Sequence, residues 1–234
     1  MKKSNIATLL VFLLLIPATL YLGTRLPGRS YYITGTLIII ELMLPFFLAF
    51  EGRKPQAREL VVISVMCAIA IAGRVAIPIP NFKATFAIIM LAGIAFGPEA
   101  GFMTGAVSAF ASNFFFSQGP WTPWQMLAYG LSGFIAGLLF HRRRPFARKP
   151  AMQAAVFAVV GCLVVLLPVG LTLDSCTLFT TQSYTSWQRT LLVYSVGFPH
   201  NLIHGLATAA AMLLLARPML EKLDRLQEKY GILA

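Results

Sequence analysis

Eight long apolar runs, almost free of charge, leave this chain few ways to fold. They lie near residues 6–23, 32–50, 58–79, 84–97, 101–116, 124–140, 151–173 and 190–216. Each is continuous, without the in–out alternation that a membrane β-barrel requires. A run of this kind satisfies its backbone polar groups in lipid only by coiling into a helix. Composition agrees: 58% of residues are hydrophobic and 12% are charged, about half the charged share of a soluble domain. The sequence predicts an all-α, polytopic membrane protein.

The formal charge of +11 invites a nucleic-acid reading, but its distribution opposes one. Fourteen basic residues fall on alternate connections: Lys2, Lys3, Arg53, Lys54, Arg58, Arg142, Arg143, Arg144, Arg148, Lys149, Arg217, Lys222, Arg225 and Lys229. Four fall on the others: Arg25, Arg29, Lys83 and Arg189. This is the positive-inside pattern, and it predicts a multi-pass protein of the cytoplasmic membrane with both termini in the cytoplasm. The first span follows Lys2 and Lys3 but lacks a small-x-small cleavage site, so it reads as a true helix. The polar linker Glu51–Glu59 separates the first two spans from the rest. Three segments result: an N-terminal hairpin over 1–52, a six-helix core over 53–218 and an amphipathic cytoplasmic tail over 219–234. In the tail Met219, Leu220, Leu223, Leu226 and Tyr230 share a face, which suits the membrane surface.

The stretch Asn113–Gln125 reads Asn-Phe-Phe-Phe-Ser-Gln-Gly-Pro-Trp-Thr-Pro-Trp-Gln and turns between two spans on the outer side. Trp121 and Trp124 can stack on a flat solute, and Asn113, Gln118 and Gln125 can hydrogen-bond its edges. An interfacial aromatic belt explains the rings but not the amides. Small residues form stripes at four-residue spacing. Gly93, Gly97, Gly101, Gly105 and Ala109, with Gly133 and Gly137, read as packing within the bundle. Ser64, Ala68 and Ala72 lie in the cytoplasmic half of their helix, where a partner subunit can grip them.

Arg74 is the one basic residue well inside a core helix; it faces a ligand or snorkels to the interface. Glu41 and Asp174 read as packed or solvated carboxylates. His200 and His204 share a helical face, but without a third ligand they read as bundle histidines rather than a metal site. The cysteines, Cys67, Cys162 and Cys176, form no CxxC pair, and no metal site or disulfide is expected. Since no phosphate-binding G-x-x-x-x-G-K-[ST] loop is present, ATP-driven work would need an ATPase on another subunit.

The unit from Ala57 to Pro218 resembles the substrate-binding S component of energy-coupling factor (ECF) transporters. The resemblance rests on Ser64/Ala68/Ala72, Asn81-Phe82-Lys83, Ala95–Gly101, Ser112–Phe116, Gln118–Met126 and Pro199-His200-Asn201. The Gly-Pro-Trp-Thr-Pro-Trp-Gln turn is most similar to cobalamin-type S components. What the resemblance implies is a six-helix core that binds one vitamin near its outer face, here cobalamin or a related corrinoid, with no cofactor and no covalent chemistry. It implies a membrane coupling subunit and two ABC-type ATPases as partners, with Ser64, Ala68 and Ala72 meeting the coupling subunit, and a toppling motion for release. The candidate ligand residues are Arg74, Asn81, Phe82, Lys83, Asn113, Gln118, Trp121, Trp124, Gln125, Tyr129, His200 and Asn201. Riboflavin or another planar vitamin suits much the same set. The N-terminal hairpin departs from the common six-helix form.

Two readings of other classes compete. Gly130-Leu131-Ser132-Gly133 matches the G-x-S-G of rhomboid-like proteases, with His200 or His204 as the base. The companion Trp-Arg loop and His-x-x-x-Asn helix of that family are missing. A stand-alone secondary transporter is the other, resting on Arg74 and Glu41 without repeat symmetry.

Overall fold

The computed structural model describes residues 10–25, 30–142, 149–181 and 186–231. Lys2, Lys3, Arg29, Arg143, Arg144 and Arg148 of the charge pattern lie outside the described residues, as do the start of the first span and the end of the tail. Eight helical elements follow in order. The first, α1 (Ile16–Arg25), continues a π-helical turn, Val11–Leu15. Then come α2 (Ser30–Gly52), α3 (Ala57–Val75), α4 (Thr85–Phe96), α5 (Pro98–Phe116) and α6 (Thr122–Phe140). The seventh, α7, runs Pro150–Val164, a π-helical stretch Val165–Val169 and Gly170–Thr181; α8 is Trp187–Tyr230. The segments 33–52, 150–180 and 187–230 are long and apolar enough to cross a membrane by length and composition alone. The chain is a multi-pass, all-helical membrane protein.

The short α4 sits at the centre, and all twelve of its residues are buried. Twelve residues reach roughly 18 Å, well short of a hydrocarbon core of about 30 Å. The helix therefore packs inside the bundle rather than spanning it alone. Gly97 makes the corner into α5 with φ +97°, a conformation that side chains rarely tolerate, and Pro98 starts α5 with its ring at the first turn.

Glycines let α4, α5 and α6 touch backbone to backbone. A Cβ on Gly93 would stand 2.0 Å from the Gly133 carbonyl oxygen, and one on Gly133 would stand 2.3 Å from that of Gly101. The Gly93–Gly105 and Gly133/Gly137 stripes thus pack the protein's own bundle, as the sequence suggests. The stripe on α3 behaves differently. Its buried face is Ile63, Met66, Cys67 and Ala70, whereas Ser64, Ala68 and Ala72 are exposed.

The N-terminal hairpin docks through aromatic contacts. Phe46 stacks on Phe102 with ring centroids 4.1 Å apart and meets Phe134 edge-on. Glu41 turns into the hairpin, where its Oε1 accepts from the Thr19 hydroxyl at 2.5 Å. Beyond the hairpin, Arg53 pairs with Glu99 at the start of α5, 3.1 Å apart.

Two spans run further than the apolar runs suggest. α7 continues past residue 173 to Thr181, absorbing Pro168 in its π-helical stretch. α8 runs unbroken through Pro199 and Pro218 until Gly231, whose left-handed φ of +58° ends it. The tail after Arg217 is therefore the end of α8. Leu220 and Leu223 are buried in the main core, and Gln227 Nε2 donates to the Ala95 carbonyl at 2.8 Å. Met219, Leu220 and Leu223 of its apolar face meet the bundle, whereas Leu226 and Tyr230 stay exposed.

Candidate functional site

The turn between α5 and α6 is held by Thr122. Its hydroxyl donates to Gln118 Oε1 at 2.8 Å and accepts from the Gly119 N–H and from Asn113 Nδ2, both at 3.2 Å. Gln118 Nε2 donates to the Phe110 carbonyl at 2.9 Å, and the Trp121 indole N–H to that of Ser117 at 3.3 Å. The amides of Asn113 and Gln118 are thus spent on shaping the turn.

Arg74, in the last turn of α3, reaches the same network. Its Nη1 donates to Asn113 Oδ1 at 2.9 Å and to the Ser112 hydroxyl. The guanidinium carbon lies 4.7 Å from the Phe116 ring centroid and 5.4 Å from that of Tyr129, a cation–π arrangement. Among the described residues Arg74 has no ion-pair partner. Its charge is balanced by dipoles and rings alone, so it remains able to meet an acceptor from outside.

These groups border a cavity of about 390 Å³ at the Trp-turn end of the bundle. Arg74, Asn81, Lys83, Trp121, Gln125 and Tyr129, all anticipated from the sequence, line it together. Phe116, Leu173, Cys176, Thr177 and His204 complete the wall. Phe86, at the start of α4, packs under Tyr129 and His204, with centroids 4.6 and 5.8 Å away. Polar groups sit between the rings. His204 Nε2 donates to Asn81 Oδ1 at 3.1 Å, and Lys83 donates to the Ile77 carbonyl. Gln125 Oε1 is buried with no hydrogen-bond partner. A buried orphan acceptor costs free energy unless a donor is supplied.

Other anticipated residues lie elsewhere. Phe82 is exposed and outside the cavity wall. Trp124 points away: it is 5% exposed, stacks on Phe179 at 5.7 Å and packs beside Gly35 of the hairpin. His200 is exposed and bonds the Val196 carbonyl at 3.0 Å. Asn201 donates to Asp174 Oδ2 at 2.8 Å. The two tryptophans therefore give different mutants. Trp121→Ala is expected to weaken ligand binding by about tenfold through lost ring contact. Trp124→Ala is expected to destabilise the fold by about 3–5 kcal/mol while affecting affinity less. Thermal unfolding and ligand titration of both variants check this.

The protease alternative finds no support here. Ser132 is fully buried, its hydroxyl donates to the Tyr129 carbonyl at 2.6 Å, and both candidate histidines are bonded to other groups.

The residues that sequence reasoning left out of the site come chiefly from α7. With the span ended near 173, Cys176 counts as a loop residue. Their spacing of three and four from Leu173 carries the signal, since it continues one helical face.

No curated protein and no solved structure matches the chain. A family model described as the ECF-type riboflavin transporter, S component, matches residues 54–221. The match covers more than two thirds of the chain and leaves out the hairpin. On that coverage, the chain belongs to the family of ECF-type riboflavin transporter S components.

Proposed function

We propose that this chain captures riboflavin, or a flavin close to it, for an ECF-type importer. The observation that carries the reading is the cavity that combines aromatic walls, cationic donors and one orphan acceptor. The imide edge of a flavin ring alternates acceptor, donor and acceptor. Arg74 and Lys83 supply donors, and Gln125 Oε1 supplies the acceptor that the ring N–H needs. Trp121, Phe116 and Tyr129 offer faces for the ring. A volume of about 390 Å³ lies toward the lower end of the ~300–1,000 Å³ usual for small-molecule sites. It suits a three-ring solute better than a whole corrinoid with its nucleotide arm. The amides that would favour a corrinoid's rim, those of Asn113 and Gln118, are already engaged in the turn. The family match also favours the flavin.

The protein binds and releases; it does no covalent chemistry. The basic bias supports cytoplasmic termini and an outer Trp-bearing turn, which fits capture from the outside. A membrane coupling subunit and two ABC-type ATPases drive release, with the exposed Ser64/Ala68/Ala72 face as the contact for the coupling subunit. Ala68→Leu is expected to leave flavin affinity unchanged and to abolish co-purification of the partner subunits. A fully assembled, transporting Ala68→Leu complex would remove that face from the interface. The cargo is tested by mass spectrometry of the small molecule released from the purified chain. A flavin mass supports the assignment, and a cobalt-containing corrinoid would refute it.

A further inference from the structure

The hairpin helix α2 reaches the back of the aromatic cavity. Two helices supply much of the cavity wall: α6 gives Trp121, Gln125 and Tyr129, and α7 gives Leu173, Cys176 and Thr177. Behind that wall a ring pair joins the same two helices. Trp124 of α6 stacks on Phe179 of α7, with centroids 5.7 Å apart and planes 21° from parallel. Neither ring is part of the wall itself.

Gly35 of α2 closes on both rings. A Cβ there would stand 3.5 Å from Trp124 Cζ2 and 3.8 Å from the Phe179 ring. Further along α2, Ile39 and Met43 are buried in one cluster with Trp124, Leu127 and Cys176. Cys176 belongs to that cluster and to the cavity wall at once, so one residue layer separates the hairpin from the ligand space. The Trp124 indole N–H is buried with no hydrogen-bond partner. Packing, not hydrogen bonding, holds this ring in place. The six-helix core does not supply that packing: the family match starts at residue 54, and α2 ends at Gly52.

We infer that Gly35 and Ile39 of the hairpin position the binding wall: acting through Trp124 and Phe179, they set the spacing of α6 and α7 and so the width of the slot that takes a flat ring. The inference rests on the flavin reading of the cavity. Both are positioning residues, since neither lines the ligand space. The physical basis is close packing, in which a side chain moves only if its neighbours do. A slot wider by about 0.5–1 Å would forfeit about a quarter to a half of the dispersion attraction between wall and ring.

Riboflavin titrations of the purified full chain test this, with thermal unfolding measured alongside. Gly35→Val adds two methyl groups on a stiff stem beside the rings and is expected to weaken riboflavin about tenfold. In a Phe179→Ala background, where the added bulk has space, the same substitution is expected to cost less than about threefold. Ile39→Ala is expected to weaken riboflavin about fivefold. Phe46→Leu loosens the hairpin at its other end, against Phe102 and Phe134, which line no part of the cavity. It is expected to lower the unfolding temperature and to keep riboflavin affinity within about twofold of wild type. A hairpin that only stabilises the fold would move affinity alike in Ile39→Ala and Phe46→Leu, and that result overturns the inference. So does a Gly35→Val protein that binds like wild type, or a loss that Phe179→Ala does not diminish. The comparison of Ile39→Ala with Phe46→Leu decides the matter if Gly35→Val does not fold. Wild-type protein that fails to bind riboflavin at all would instead sink the flavin reading, and this inference with it.

Discussion

Gly133→Val is expected to yield no folded protein, read as loss of the monodisperse peak in detergent and of a cooperative thermal transition. The reason is geometric. Gly133 meets Gly101 backbone to backbone, and a single Cβ there would lie 2.3 Å from the Gly101 carbonyl oxygen and 2.6 Å from its carbon. Backbone cannot rotate aside as a side-chain end can. Gly93 approaches the same Gly133 carbonyl, so α4, α5 and α6 would all have to move. Overpacking a core costs about 1–3 kcal/mol and occasionally more, and here three helices share the clash. Folded proteins have only about 5–15 kcal/mol in reserve. Gly52→Ala is the control: nothing lies within 4 Å of a Cβ at that position, and its stability is expected to stay within about 0.5 kcal/mol of wild type. A well-folded Gly133→Val protein would mean that the helices do not approach as closely as described.

Arg74→Gln should cut flavin affinity by about a hundredfold, and Arg74→Lys by about tenfold, in equilibrium titrations. Arg74 does two jobs. It faces the cavity as a cation held by rings, and through Asn113 it is bonded to the Thr122 network that shapes the Trp turn. Lysine keeps the charge but loses the planar fork and its stacking on Phe116 and Tyr129. Glutamine keeps hydrogen bonding to Asn113 and removes the charge, so the turn should survive while the ligand loses its strongest donor. The ordering separates the two jobs. If glutamine bound flavin better than lysine, Arg74 would matter for the turn and not for the ligand.

Much of this was legible before any coordinates. Apolar runs placed the eight helices to within a few residues in most cases, because lipid leaves a spanning segment little choice. Glycine spacing foretold the tight α4–α5–α6 packing, since small residues at four-residue intervals have that use. Six cavity residues were likewise anticipated, from Arg74 to Tyr129. What the sequence could not convey is direction. Trp121 and Trp124 are three residues apart, yet one lines the cavity and the other packs on Phe179 under a hairpin outside the family's span. Asn113 and Gln118 look like ligand amides until their partners in the turn are seen. The end of α7 departs from the apolar pattern for another reason: polar Thr, Ser and Asp residues end the apolar signal while the helix goes on, which hides Cys176 and Thr177. The tail of α8 keeps its amphipathic pattern, but only the fold reveals that Leu220 and Leu223 of its apolar face join the core while Leu226 and Tyr230 stay exposed.

The most direct measurement is a fluorescence titration of riboflavin with the purified chain in detergent, free of partner subunits. Stacking on Trp121 and Tyr129 should quench flavin emission saturably, at one flavin per chain, with no competition from cobalamin. Emission that stays constant as protein is added, or quenching that cobalamin reverses, would contradict a flavin-capturing membrane subunit.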